Sequence, residues 1–223
     1  MAGVTRRYYV GVDLGQSQDY TAIAVVERAE LKGAWDPEEF AWRKVVKLRL
    51  RHLERVPLGT PYTEVVERAA LVTRAPQIVE CCELVVDATG VGRPVVDLLR
   101  KTRLGGKIIP VTFTGGNTER CTNGYYGVPK RDLITRLQIL LQRGTLQIAA
   151  GMEYGPALVK EMADMRVKMT RSGYEQFEAW REGTHDDLVF AVALACWRAE
   201  KAFPHELAGA EAHWRGPMQG GFG

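Results

Sequence analysis

The chain has 223 residues, room for one large domain or two small ones, and 46% of them are hydrophobic, enough for a sizeable core. Thirty basic residues against 27 acidic ones leave +3, too mild a balance to mark a nucleic-acid binder by itself. No run approaches the ~18 apolar residues of a membrane span, residues 1–7 lack a signal-peptide core, and Cys81, Cys82, Cys121 and Cys196 form no C-x-x-C pair, which argues against a membrane protein, a secreted disulfide scaffold and a zinc knuckle.

Residues 8–14 form an apolar run that ends in Asp-Leu-Gly and predicts a buried strand. A turn at 15–19 leads to a second strand at 20–27, which predicts a hairpin. Residues 40–50 predict a third strand, with Val46, Leu48 and Leu50 on one face and Lys47, Arg49 and Arg51 on the other. A helix is expected over 61–80, with Pro76 able to end it early. A fourth strand at 84–87 ends in Asp87, followed by a tight turn and a helix over 94–103. A fifth strand covers 107–113, and the Gly-, Thr- and Asn-rich stretch 114–128 predicts a long loop of functional or mobile character. An amphipathic helix is expected over 130–143, a short strand over 146–149, a helix over 154–166 and a weak hairpin over 167–179. The last helix is expected over 184–201. From residue 209 the composition turns to Gly, Pro, His and Trp, and residues 204–223 predict a flexible tail behind one domain at 1–203. Three meandering strands followed by alternating helix and strand predict an α/β fold, a central mixed sheet with its first three strands antiparallel and helices on both faces.

The chemistry sits at strand ends. Asp13 and Asp87 each close an apolar strand, where a carboxylate is costly to bury unless it is paired or holds a metal. In open α/β sheets functional groups gather at the carboxyl ends of strands. An alternative for each is to cap the turn that follows it. Thr184-His185-Asp186-Asp187-Leu188 opens an apolar helix, where carboxylates also suit the helix dipole and a loose capping box. Yet that helix carries almost no charge from Asp187 to Arg198, so it must pack on the sheet and bring its first turn to the strand ends. Four histidines, at 52, 185, 205 and 213, are too scattered for a His/Cys site. Converging aspartates instead suit Mg²⁺ or Mn²⁺, and two such ions, ~4 Å apart, serve phosphodiester hydrolysis.

These residues carry a resemblance. Gly11-Val12-Asp13-Leu14-Gly15, Asp19-Tyr20-Thr21-Ala22, the stretch from Val85 to Gly92, and His185-Asp186-Asp187-Leu188 with Ala191, Ala193 and Ala195 are similar to the nuclease domain of tailed-bacteriophage large terminase subunits, in the ribonuclease H-like, RuvC-like superfamily. The resemblance spans about residues 8–201. It implies metal-dependent endonucleolytic cutting of phage DNA during genome packaging. It further implies that Asp13 bridges two ions, that Asp87 holds one, and that the Asp186–Asp187 pair supplies the other's ligand, Asp187 ahead of Asp186. Asp19 is an auxiliary carboxylate by the same pattern. The implied partners are double-stranded DNA and a packaging ATPase, small terminase or portal protein, in the cytoplasm of a bacterial host. A full-length large terminase also carries an ATPase motor, whereas no G-x-x-x-x-G-K-[ST] loop occurs in this sequence.

The basic face Lys47, Arg49 and Arg51, with Lys44 and Arg55 beside it, is one candidate for phosphate contacts, against the alternative of a solvated sheet face. Lys130 and Arg131 at a helix start are another, because cations there oppose the dipole and call for an anion. Arg93 and Arg120 are further candidates. The competing functional readings are a RuvC-like Holliday-junction resolvase, an actin- or sugar-kinase-like ATPase, and a non-enzymatic DNA-binding or assembly module.

Overall fold

The computed structural model describes residues 5–15, 19–90, 92–169, 175–179 and 185–201, with backbone alone at 166–169 and 175–179. The expectations for the tail at 204–223 and for Thr184 lie outside the described residues. Three antiparallel strands open the chain: β1 (Thr5–Asp13), β2 (Thr21–Asp36) and β3 (Ala41–Val56). Helix α1 (Tyr62–Thr73) precedes β4 (Cys82–Asp87), and α2 (Gly92–Lys101) precedes β5 (Gly106–Thr114). Then come β6 (Arg120–Thr122), β7 (Tyr125–Pro129), α3 (Lys130–Gln142), β8 (Leu146–Ile148) and α4 (Gly155–Asp164). The pair β9 (Met165–Met169) and β10 (Glu175–Ala179) and helix α5 (Asp187–Lys201) close the described chain.

One eight-stranded sheet runs in the order β6-β7-β5-β4-β1-β2-β3-β8, while β9 and β10 pair separately as the expected hairpin. Strand β1 is antiparallel to β2 and parallel to β4, so the sheet is mixed. Period-2 alternation divides the core in two. Tyr8, Val10 and Val12 join Ile23, Val25, Leu84 and Val86 against α1 and α2. Tyr9, Ala24, Val26, Leu48, Leu50 and Val85 face α3, α4 and α5 on the other side. Helix α5 is buried from Asp187 through Trp197, as a helix apolar all round must be. Among the described residues no helix is long and apolar enough to cross a membrane.

The structure departs from the expectation in three places. Strands β2 and β3 run well beyond the predicted 20–27 and 40–50, to a turn at 37–40; their outer ends are held by the Trp35–Trp42 edge contact at 5.4 Å and by Lys32 lying 3.6 Å over the Trp42 ring. Helix α1 stops at Thr73, because a residue before Pro76 is pushed out of helical geometry. The expected loop at 114–128 contains a hairpin. Asn123 and Gly124 both have positive φ, +52° and +79°, the signature of a two-residue primed turn, and β6 and β7 pair across it.

Candidate metal centre

Strand register brings the first two aspartates together. Val12 lies opposite Val86 in the parallel β1–β4 pair, so Asp13 and Asp87, each last in its strand, sit side by side about 4.8 Å apart in strand spacing. Both follow residues of the α1/α2 core and therefore face α5.

Helix α5 brings the third element by close packing. Asp187, Ala191 and Ala195 recur at i, i+4 and i+8 on one helix face. A Cβ on Gly11 would stand 2.0 Å from the Ala191 carbonyl oxygen and 3.0 Å from the Ala195 nitrogen. The missing side chain on β1 and the alanines on α5 thus let two backbones touch. Two residues along β1 from Gly11 is Asp13; one helical turn before Ala191 is Asp187. The same contact that packs the core sets the carboxylates facing one another.

Asp13, Asp19, Asp87, Asp186 and Asp187 all line one cleft of about 230 Å³, walled by Tyr20, Thr89, Phe113, Lys130, His185 and Phe190. Three of them have distinct tethers. Asp87 Oδ1 accepts from the Thr89 backbone N–H at 2.8 Å and from the Thr89 hydroxyl, an Asx turn. The capping alternative is therefore real, and the same residue also lines the cleft. The Asp186 carbonyl accepts the first helical bond from Phe190 N–H, so Asp186 occupies the N-cap position of α5. Its side chain lies 3.5 Å from Lys130 Nζ, and that ammonium rests 4.2 Å over the Phe190 ring. Asp187 is held at both oxygens by Arg55, Nε to Oδ2 at 2.8 Å and Nη2 to Oδ1 at 3.1 Å. Asp19 is exposed at the cleft edge, and the adjoining residues 16–18 lie outside the described residues.

Glu161 and the role of Arg55 were not legible in the sequence. Arg55 stands among the candidate phosphate contacts, yet its guanidinium bridges Asp187 and Glu161 and stacks 4.8 Å from the Tyr20 ring. Glu161 Oε2 in turn accepts from the Val189 N–H in the first turn of α5. No local signal links three residues so far apart in the chain. Tyr20 and His185, in edge contact at 4.8 Å, complete this wall.

The electrostatics are those of an acidic cluster short of positive charge. Burial drives the Asp13 carboxyl well above its ordinary range, and the charges of Asp87, Asp186 and Asp187 add to it. Burial also raises Asp87 against the opposing hydrogen bonds from Thr89, and raises Asp187 against Arg55. Glu161 is pushed up to about 8 by burial and by the nearby Asp187, in spite of Arg55. Among the described residues no three His, Cys, Asp or Glu side chains already stand at metal-binding spacing. The carboxylates are instead turned to Arg55, Lys130 and Thr89. The donor chemistry nevertheless fits a hard divalent cation: oxygen ligands only, several carboxylates in one cleft, and mutual repulsion that a cation would relieve.

A raised pKa in the folded state means that the protonated form is favoured on folding. Its stabilising effect is complete below about 4.5, the ordinary Glu value, and is lost as pH rises through about 8 for Glu161. Metal-free protein is therefore expected to melt at progressively lower temperature as pH is raised from 5 to 8.5. Glu161→Gln should flatten that slope. A wild-type melting temperature independent of pH in EDTA would contradict this reading.

Among the other candidate cations, Lys47 is buried with Nζ donating to the Gly144 carbonyl at 3.1 Å, and Arg49 and Arg51 both engage the fully buried Glu27, at 3.3 and 2.6 Å. Arg49 and Arg51 thus join an internal ion-pair network and Lys47 a buried hydrogen bond, so this basic face is not a solvated one. Arg131 sits with Asn117 and Asp132, at 3.3 and 3.6 Å. Only Lys130 of the five cations reaches the cleft.

No family model matches the chain, and no curated protein matches it either. Solved structures do. The large terminase nuclease from thermophilic phage G20c with bound magnesium superposes with a TM-score of 0.57 at 22% identity, over 86% of this chain and 82% of that one. Another structure of the G20c large terminase nuclease gives 0.54 at 21% identity, over 85% and 81%. The large terminase nuclease domain of Thermus phage P74-26 gives 0.53 at 20% identity, over 87% and 80%. The fold is thus the ribonuclease H-like fold of large terminase nucleases, as the sequence resemblance implied.

Proposed function

We propose that the chain is a Mg²⁺- or Mn²⁺-dependent DNA endonuclease that cuts phage DNA during genome packaging. The observation that carries this reading is the convergence of Asp13, Asp87, Asp186 and Asp187 on one cleft from two strand ends and a helix start. Its support is twofold: the acidic surplus described above, and a shared fold with terminase nucleases, one of them a structure with bound magnesium.

Asp13, repelled by Asp87, Asp186 and Asp187, would share two cations; Asp87 and the Asp186–Asp187 pair would hold one each, with Asp19 auxiliary at the rim. Two divalent ions, when bound, lower the pKa of the attacking water and stabilise the leaving oxygen of a phosphodiester. The protein's own part is positional. Thr89 fixes Asp87, Arg55 and Glu161 fix Asp187 with the first turn of α5, and Lys130 offers its ammonium beside Asp186, within reach of a phosphate in the cleft. No His or Glu general base is required. The substrate is double-stranded DNA, and the partners are a packaging ATPase, small terminase or portal protein in the bacterial cytoplasm.

Incubation of the chain with plasmid DNA and Mn²⁺ or Mg²⁺ tests the proposal, with nicked and linear products expected and EDTA suppressing them. Intact plasmid under both metals would refute it. Selective cutting of four-way junctions over linear duplex would move the reading to a resolvase.

Asp186 and Asp187 should be separable. Asp187→Asn takes the doubly bonded Asp187 carboxylate from Arg55 and leaves it Glu161 alone, so it is expected to lower the melting temperature of metal-free protein at pH 6 as well as cutting. Asp186→Asn, whose one close cation among the described residues is the partly exposed Lys130, should reduce cutting with little change in melting. Equal melting of the two variants would show that the Arg55 pairing does not distinguish them.

A further inference from the structure

Helix α2 carries a run of exposed cations. Residues 92–105 hold four basic residues, Arg93, Arg100, Lys101 and Arg103, against one acid, Asp97. This short stretch alone matches the +3 of the entire chain. The helix buries Val95, Val96 and Leu99 against the sheet and leaves Arg93, Arg100 and Lys101 exposed, with Arg103 exposed just beyond it. Asp97 pairs with Arg100 at 3.0 Å, and no ion pair is found for Arg93, Lys101 or Arg103 among the described residues. The contrast with Arg49 and Arg51, neutralised by the buried Glu27, is direct.

Position adds to charge. Helix α2 follows the turn after Asp87, and Gly90 in that turn lines the cleft. Arg93 follows Gly90 by three residues in the first turn of α2, and the other cations lie along a helix about 15 Å long, at 1.5 Å per residue. Successive phosphates of one DNA strand lie ~7 Å apart, so the line is two to three phosphates long. Tyr125 on β7 braces the upper part, with Arg93 and Arg100 at 5.6 and 5.4 Å from its ring, a contact that orders guanidinium groups without neutralising them.

We propose that the exposed face of α2, with Arg103 beyond its end, tracks the phosphate backbone of duplex DNA leading out of the cleft. This rests on the nuclease reading for its choice of ligand. The contacts are to phosphate and carry little sequence preference.

The test is binding of a fluorescein-labelled 30-base-pair duplex to the full chain in EDTA, by anisotropy across a salt series. The Arg93→Gln/Lys101→Gln/Arg103→Gln variant is compared with wild type and with an Arg143→Gln/Lys160→Gln control on the opposite face. Circular dichroism melts confirm that each variant folds. The α2 variant is expected to raise Kd by about tenfold or more and to reduce the slope of log K against log salt by about two to three, while the control shifts both far less. Wild-type affinity and slope in the α2 variant, or an equal loss in the control, would overturn the proposal. Because binding is read without metal, the two ideas fail separately: a chain that binds DNA through α2 but never cuts loses only the nuclease reading, and one that cuts while the α2 variant binds normally loses only this surface.

Discussion

Asp13→Asn is expected to abolish metal-dependent cutting while raising the melting temperature of the metal-free protein at pH 8. The first effect follows from its place between Asp87 and the Asp186–Asp187 pair. On the proposed function, removing Asp13 forfeits a ligand shared by two ions, and a loss of ~4 kcal/mol of transition-state stabilisation is about a thousandfold in rate. The second follows from the sign of its titration. Burial and three neighbouring carboxylates hold Asp13 well above its ordinary range. Ionised Asp13 is thus opposed in the folded state, and its contribution to stability falls as pH rises through the raised value. Asn has nearly the same shape and does not titrate, so the variant's advantage should widen between pH 5 and pH 8 in EDTA. Wild-type cutting by this variant, or a lower melting temperature at pH 8, would contradict the role assigned to Asp13.

Gly11→Ala should be strongly destabilising and should also disturb the site. The added carbon would stand 2.0 Å from the Ala191 carbonyl oxygen, a backbone atom on the most buried helix. Neither partner can swing aside as a flexible side chain would, so α5 must move bodily off β1. Overpacking of this kind costs about 3 kcal/mol or more, and urea denaturation measures it. The same displacement lifts Asp187 away from Asp13. Mn²⁺ binding, followed by electron paramagnetic resonance, is therefore expected to weaken even at temperatures where the variant remains folded. Unchanged Mn²⁺ affinity in folded Gly11→Ala protein would show that the close helix–strand contact does not set the carboxylate geometry.

Local pattern carried much of the fold. The apolar runs before Asp13 and Asp87, and the charge-free helix behind Asp187, are strong because each is buried on every side, and burial leaves a plain mark on composition. Alternation in β3 correctly placed Val46, Leu48 and Leu50 in the core. The same alternation misled about its other face. Lys47, Arg49 and Arg51 look like an outward basic stripe until Glu27, on the neighbouring strand, is paired with Arg49 across the sheet. Charge in a sequence says nothing about whether its partner is a phosphate or a buried glutamate. The β6–β7 hairpin was legible and overlooked: Asn123-Gly124 is a primed-turn signal, hidden in a stretch whose polarity resembled a loop.

What the sequence by itself determined is the elements and where their aspartates fall: at two strand ends and a helix start, on an α/β framework. These are local properties, since residue type and periodicity act within a few positions. Only the tertiary structure decided that β1 and β4 are neighbours, that Gly11 admits α5 to backbone contact, and that Arg55 turns inward to Asp187 and Glu161. Glu161 lies 106 residues from Arg55, and its carboxyl is raised to about 8 by burial beside Asp187. Desolvation and Coulomb interaction depend on distance in space, which no span of sequence encodes locally.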